Sequence, residues 1–190
     1  MRSVDDFVPF VQAMAVDADE LQCQQAIREA IIRFMRDTQV FDDRLVIVPQ
    51  EGVCEYNLDV PQCRVLVGVK RVFVDRCELY DRLWARDEHH DVLRVFTNLD
   101  GCCVEVDYTW TIGRDGCAVP DKVYEDYMPG VIEGSLEQLH RMFGTDIVSR
   151  SRAIDATNRY QEFIADTKAR KVFGFAHSRP RMRKRNQYRR

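Results

Sequence analysis

Apolar side chains recur at the spacing of a helix over the first forty residues of the chain. The clearer of two predicted helices begins at Asp17 and Glu20, which have the spacing of a capping box, where each end of the motif satisfies a free backbone N–H. Charged side chains occupy the opposite face of this helix. Its apolar face consists of Cys23, Ala26, Ile27, Ala30, Ile31, Phe34 and Met35. A shorter helix, capped by Ser3, is predicted over residues 3–15.

After Thr38 the pattern changes to short segments that are rich in β-branched residues and separated by turn signals such as Glu51-Gly52. The predicted strands cover residues 41–49, 53–58, 65–74, 79–85, 92–97 and 104–112. In the last of them apolar and polar residues alternate, which predicts one face in a core and the other in water. The middle of the chain is therefore predicted to form a small antiparallel sheet.

Helical spacing returns at Pro120 and continues to Phe143. Pro129 lies inside this segment and predicts a kink or an interruption, because proline supplies no N–H donor there. Gly130 and Gly134 lower helix propensity and indicate close approach of another backbone. Gly144 follows the last apolar residue, as a C-terminal cap does.

A final helix is predicted over residues 150–171. Its inward side chains are predicted to be Ile154, Thr157, Tyr160, Phe163 and Ile164. Because helices and strands are segregated along the chain, the fold class is α+β: a helical bundle built from both chain ends, with an inserted antiparallel β-sheet and an extended basic C-terminal tail. The predicted divisions are residues 1–40 and 119–171 for the helical domain, 41–118 for the sheet and 172–190 for the tail.

The composition of the 190 residues, 45% apolar and 31% charged, is that of an ordinary globular domain. No uninterrupted apolar run, glycine included, exceeds five residues, so no membrane-spanning segment is expected. The first 20 residues carry five acidic side chains and no apolar stretch, so we expect no secretory signal and an intracellular protein. Seven cysteines without a C-x-x-C pair are interpreted as small buried hydrophobes rather than zinc ligands.

Charge is divided sharply along the chain. From Lys168 onward there are ten Lys and Arg residues and no Asp or Glu, whereas residues 1–167 hold 18 basic and 31 acidic side chains, a net charge of −13. An acidic body with a basic C-terminal arm is the first feature that bears on function.

The most metal-like stretch is Asp87-Glu88-His89-His90-Asp91. Adjacent histidines on a strand point to opposite faces, and neither His-x₃-His nor H-E-x-x-H spacing is present. We interpret the stretch as a polar hairpin tip, with a metal-dependent enzyme as the lesser alternative. The chain also has no P-loop, no G-x-G-x-x-G and no G-x-S-x-G. No catalytic constellation is identified, so we expect a non-enzymatic protein without a cofactor.

The C-terminal tail is the strongest candidate for binding. Its candidate residues are Phe173, Phe175, Arg179, Arg181, Arg183, Lys184, Arg185, Tyr188, Arg189 and Arg190. Pro180 and the absence of an apolar period predict a tail that is extended or disordered when free. It would bind nucleic acid through phosphates, or order on a partner protein through Arg forks against carboxylates, or neutralise its own acidic body, or serve only as a solubilising end.

The order of motifs resembles that of the head-to-tail adaptor proteins (head completion or connector proteins) of tailed bacteriophages. The segment that resembles their opening helix is Leu21-x₄-Ala26-Ile27-Arg28-Glu29-Ala30-x-x-Arg33-Phe34-x-Arg36-Asp37-Thr38. Their strand block is similar to Glu51-Gly52-Val53-x-Glu55-Tyr56-x-Leu58-x-Val60-Pro61 and to Val69-x-Arg71-Val72-x-Val74-Asp75. Their returning helix is similar to Val119-Pro120-Asp121-x-x-Tyr124-x-Asp126-Tyr127-x₄-Ile132-x-x-Gly134-x-Leu136-x-x-Leu139-x-x-Met142. The likeness covers residues 20–172, and the basic tail lies beyond it.

The resemblance implies a structural virion protein, located at the head-tail junction and assembled in the host cytoplasm. Such adaptors dock beneath the portal protein as a ring, commonly of twelve copies, carry a tail or nozzle protein below, and extend the channel through which DNA passes without sequence-specific binding. The resemblance implies no membrane partner. An acidic body suits a channel wall that repels phosphates, and the basic tail is expected to be the portal-binding arm.

A nucleic-acid-binding regulator that uses the basic arm is the alternative function. It predicts a salt-sensitive DNA affinity that disappears with the arm. The acidic body argues against it, and no predicted helix has the character of a recognition helix.

Overall fold

The structure, a computed structural model, describes residues 1–15, 17–87, 91–97, 99, 102–115, 118–143 and 147–173. Its N-terminal helices form where helical spacing predicts them. A 3-10 turn, Val4–Phe7, leads into α1, Val8–Gln12, and the Ser3 hydroxyl caps the turn by accepting a hydrogen bond from the Asp5 N–H at 3.2 Å. α2 spans Glu20–Thr38, and all seven apolar residues predicted for its inner face are buried.

The capping box of α2 lies two residues after the predicted one. The Asp19 carboxylate accepts a hydrogen bond from the Gln22 N–H at 2.8 Å, and the Gln22 side chain accepts one from the Asp19 N–H at 2.9 Å. The predicted pair, Asp17 and Glu20, is wrong because the Ala18 N–H closes a turn at 3.0 Å, so that the helix begins only at Glu20.

The middle block contains seven strands among the described residues, and they form two antiparallel sheets rather than one. The strands are β1 (Asp42–Ile47), β2 (Glu55–Asn57), β3 (Arg64–Val74), β4 (Cys77–Glu78), β5 (Trp84–Asp87), β6 (Val92–Val95) and β7 (Val104–Ile112). The larger sheet has the order β1-β7-β3-β4, and the smaller has the order β2-β6-β5. The strand predicted over residues 79–85 is replaced in part by a 3-10 turn, Asp81–Leu83, which precedes β5.

β7 has the predicted bounds, but its polar face does not lie in water. Asp107 is only 8% exposed and Thr111 is fully buried. β7 is paired on both sides, and Arg44 of β1 and Arg71 of β3 reach over it to the Asp107 carboxylate, at 2.7 and 2.9 Å. The Thr111 hydroxyl donates to the Ile32 carbonyl of α2 at 3.4 Å. Alternation in this strand therefore reflects two differently covered faces rather than one dry and one wet face.

α3 spans Asp121–Phe143 and α4 spans Ile147–Phe173. Pro129 lies inside α3, so the predicted interruption does not occur. A proline removes one backbone hydrogen bond, and here the helix continues because it packs against both α2 and α4. Ile154, predicted to point inward, is 60% exposed. Tyr160 and Ile164 are buried as predicted, and Ala153, Ala156 and Thr167 complete the buried face of α4.

The two glycines of α3 mark a close approach of aromatic rings from α4 rather than of another backbone. A Cβ atom on Gly130 would lie 2.2 Å from the Phe163 ring, and one on Gly134 would lie 3.0 Å from the Tyr160 ring. The absence of a Cβ at these positions lets α4 lie directly on α3.

Aromatic contacts join the helices to the larger sheet. Phe41, between α2 and β1, lies 5.7 Å from the Trp110 ring of β7 and 6.1 Å from the Tyr127 ring of α3, measured between ring centroids. Helices and antiparallel sheets thus form one hydrophobic core within the described residues, which confirms the mixed helix and strand character. Each described helix is too short or too polar to cross a bilayer.

Candidate functional site

The site predicted from the sequence is the basic arm, and the structure describes the helix end from which the arm continues. Of the ten predicted arm residues, only the backbone of Phe173 is described, as the last residue of α4. The other nine, Phe175, Arg179, Arg181, Arg183, Lys184, Arg185, Tyr188, Arg189 and Arg190, lie outside the described residues. The candidate site is therefore the last turn and a half of α4, residues 168–173, together with the groups it contacts. We refer to it as the arm root.

Lys171 fastens the arm root to the junction between α2 and β1. Its ammonium group donates to the backbone carbonyl of Gln39 and lies 3.4 Å from the Asp42 carboxylate. The Lys70 ammonium of β3 pairs with the same carboxylate and lies 3.5 Å from the Gln39 carbonyl. Two cations from distant parts of the chain thus share one acidic group and one carbonyl.

The backbone at Gln39 makes this contact possible. Gln39 terminates α2 in the left-handed conformation, with φ of 50° and ψ of 34°, and its N–H still donates to the Met35 carbonyl at 3.0 Å. The chain turns sharply after this residue, so the Gln39 carbonyl leaves the helical hydrogen-bond pattern and is open to side-chain donors.

Burial and the neighbouring Lys70 ammonium lower the pKa of Lys171 to about 8. Asp42 opposes this shift but does not cancel it, because its single charge is shared with Lys70. The Lys171 ammonium is held at this junction at an electrostatic cost, since its side chain is only 30% exposed.

A shallow cavity of about 450 Å³ adjoins the arm root. Its lining residues are Asp37, Thr38, Gln39, Lys70, Lys168, Lys171 and Val172. Three ammonium groups therefore surround the point where the basic arm begins, so the positive charge of the arm continues onto the surface of the fold.

The rest of α4 is held by a buried ion-pair cluster that sequence reasoning missed. Glu137 of α3 is 3% exposed, and its carboxylate pairs with Arg33 of α2 at 2.7 Å and with Arg141 at 2.8 Å. The Arg33 guanidinium also lies 4.3 Å from the centre of the fully buried Tyr160 ring of α4. The signal that would have found this cluster is an acidic residue, Glu137, inside the apolar stripe of α3.

Burial raises the pKa of the Tyr160 phenol above its ordinary value, and the nearby Arg33 charge only partly offsets this effect. Tyr160 therefore stays neutral over the physiological range and acts as a packing residue. α2, α3 and α4 meet at this ring, which fixes the direction in which α4 carries the arm root.

Asp91, the last residue of the metal-like stretch 87–91, has a structural role. The Asp91 carboxylate pairs with the Arg86 guanidinium at 2.7 Å, and the same guanidinium donates to the Val67 carbonyl of β3 at 2.7 Å. This pairing joins the β5–β6 hairpin to the larger sheet. Glu88, His89 and His90 lie outside the described residues, and no metal-binding group of three or more His, Cys, Asp or Glu side chains occurs among the described ones.

No protein-family model matches this chain, and no curated protein is significantly similar to it in sequence.

Proposed function

We propose that the chain is a head-to-tail adaptor: a structural virion protein whose copies form a ring beneath a portal protein, extend the DNA channel and carry the tail. The observation that carries the proposal is the division of charge, an acidic body of net −13 followed by an arm without a single acidic residue. The order of motifs along residues 20–172 supports it independently.

The arm root supports the use of the arm as a tether. A tether transmits load only if its base is fixed, and Lys171 links the end of α4 to the junction of α2 and β1. The Tyr160 ring and the Glu137 carboxylate hold the middle of α4 against α2 and α3. An arm anchored in this way is suited to gripping a neighbouring ring, with order gained on docking.

The arrangement of helices fits the same role. Arg33 of α2 donates to the Gly134 carbonyl of α3 at 3.2 Å and pairs with Glu137, so helices from the two ends of the chain are joined. In the proposed adaptor this joined bundle is the rigid body of each ring subunit, and the inserted sheets face neighbouring copies or the tail. Acidic side chains on the body would repel the DNA backbone, so that DNA slides through the ring.

Removal of residues 179–190 tests the proposal. The truncated chain is expected to keep its fold, measured by circular dichroism and urea unfolding, because α4 and the arm root remain intact. It is expected to fail to attach to phage heads that lack this protein, and so to leave those heads without tails in electron micrographs.

A matched control replaces the arginines of the arm by lysines, which keeps the charge but removes the planar forks that pair with two carboxylate oxygens. A partial loss of attachment in this control would identify fork recognition of a protein surface. Normal docking of the truncated chain would refute the role of the arm.

A nucleic-acid-binding regulator remains the second candidate, favoured by the seven cations of residues 172–190. It predicts that a labelled DNA duplex binds the full chain with an affinity that falls steeply with salt, and that truncation abolishes this binding. DNA binding of this kind, combined with normal head completion by the truncated chain, would favour the regulator over the adaptor.

A further inference from the structure

A groove runs along the outer side of α2. It consists of two adjoining concavities of about 490 and 630 Å³, which share Glu29, Ile32 and Arg114. The first extends to the start of α2 at Leu21, and the second extends toward Arg36, where the ends of β3 and β7 form the far wall.

The groove is lined by four arginines and two carboxylates. The arginines are Arg28, Arg33, Arg36 and Arg114, and the carboxylates are Glu29 and Asp37. Arg33 is neutralised by Glu137. For Arg28, Arg36 and Arg114, the described part of the chain supplies no carboxylate within ion-pair distance. The groove is thus a positive region on a body whose net charge is −13.

Two arginines that line the groove each have a buried donor without a hydrogen-bond partner among the described residues. The donors are the Nε–H groups of Arg28 and Arg33. Because these two nitrogens are buried, a ligand in the groove would be recognised by the other N–H groups of the arginines. Glu29 is engaged by neighbouring amides: its carboxylate accepts from the side chains of Gln25 and Gln138, at 3.3 and 3.1 Å.

We propose that this groove binds an acidic peptide segment of a partner protein. Guanidinium groups form paired hydrogen bonds with carboxylates, and Leu21, Ile32 and Val65 offer apolar contacts between the cations. Glu29 and Asp37 lie inside the groove and would repel a continuous polyphosphate backbone, whereas a peptide places its charges individually. The observations therefore favour a protein ligand over a nucleic acid.

The dimensions of the groove set the length of the segment. From Leu21 to Asp37 an α-helix rises about 24 Å at 1.5 Å per residue, which an extended peptide spans with about seven residues at roughly 3.3 Å each. This binding site goes beyond the proposed adaptor function and does not depend on the arm.

The test measures the fluorescence anisotropy of a labelled peptide in which Glu alternates with Leu, titrated with the full-length chain at low salt. Removing Arg28 and Arg114 together, as Arg28→Gln/Arg114→Gln, is expected to weaken binding by a factor of ten or more, on the order expected for lost charged hydrogen bonds. A control peptide with Gln in place of Glu is expected to bind the unmodified chain at least about tenfold more weakly.

The matched control variant is Arg76→Gln/Arg150→Gln, which removes two positive charges from exposed positions outside the groove. It is expected to bind the acidic peptide within about twofold of the unmodified chain, since exposed and distant charges contribute little. Because the basic arm is present in every variant, any binding by the arm contributes equally to all of them.

Two single variants, Arg28→Lys and Arg114→Lys, keep the positive charge but remove the planar guanidinium that pairs with two carboxylate oxygens. They test the proposal even if the double Gln variant fails to fold. Each is expected to weaken binding by several-fold, with an unchanged urea midpoint. Equal binding by the groove and control variants, or equal binding of the Glu and Gln peptides, would overturn the proposal. It would also be overturned if a labelled single-stranded DNA bound more tightly through the same arginines.

Discussion

The contact between Gly130 and Phe163 permits a prediction whose sign depends on a second residue. In Gly130→Ala the new Cβ atom would lie 2.2 Å from one carbon of the Phe163 ring and 2.5 Å from another, more than 1 Å inside normal contact. The ring is half-buried and rests 6.0 Å from the Phe34 ring, centroid to centroid, so it moves only by giving up this packing.

Two opposing terms decide the magnitude. Replacing a helical glycine by alanine favours the helix by about 1 kcal/mol, whereas overpacking a well-filled contact costs about 1–3 kcal/mol. We expect Gly130→Ala to lower the free energy of unfolding by about 1 kcal/mol in the unmodified chain. In a Phe163→Ala background the clash is absent, and the same change is expected to raise the free energy of unfolding by up to about 1 kcal/mol.

Urea unfolding of the four proteins, followed by circular dichroism, measures this double-mutant cycle. A reversal of sign between the two backgrounds is the expected result. If Gly130→Ala stabilised the chain equally in both, α4 would not lie on α3 at this position, and the placement of the arm root would be wrong.

Three further predictions concern the ion pairs and the free chain. Glu137→Gln is expected to lower the free energy of unfolding by about 2 kcal/mol, because the Arg33 guanidinium loses the negative charge of its buried partner. Urea unfolding measures this, and an unchanged midpoint would contradict it. The pKa of Lys171 is about 8 in the folded chain, below its ordinary 10.5. Between pH 8 and 10.5 the unfolded chain therefore binds more protons than the folded chain. Stability relative to Lys171→Met is therefore expected to rise between pH 8 and 10.5, and a flat difference in urea midpoints would refute this. The proposed adaptor role also predicts that the purified chain, without a portal protein, is monomeric or weakly associated by light scattering. A stable ring would contradict this point but not the adaptor role.

Local sequence patterns were sufficient to predict an element wherever residues close together in the chain determine its structure. The inner face of α2 follows from residues spaced three and four apart, and Ser3 caps the first turn through groups two residues away. β7 begins and ends at the predicted residues because Val104 and Ile112 bound an unbroken alternation.

Contacts between residues far apart in the chain were not predictable in this way. Arg44 reaches Asp107 across 63 positions, Arg33 reaches Glu137 across 104, and Lys171 reaches Asp42 across 129. Because these partners neutralise polar side chains, the side chains can be buried. The polar face of β7 was therefore wrongly predicted to lie in water, and the buried Glu137 of α3 was not predicted. Sequence spacing also assigned Ile154 to the inner face of α4, whereas its neighbour Ala153 is the buried residue.

The site was found only in outline from the sequence. The basic arm could be predicted from composition alone, because residues 172–190 contain seven cations and no carboxylate side chain. The anchoring of the arm root depends on the carbonyl of Gln39, a residue in the left-handed conformation, and on Lys70. Neither the conformation of Gln39 nor the position of Lys70 can be predicted from the neighbouring residues in the sequence.

The central claim is that the molecule couples a capsid to a tail. Electron cryomicroscopy of intact particles carrying this chain with a bulky label on its N-terminus tests this most directly. Label density in a ring at the single vertex between head and tail, directly below the portal, is the result expected. Density elsewhere in the particle, or particles that contain no label at all, would contradict it.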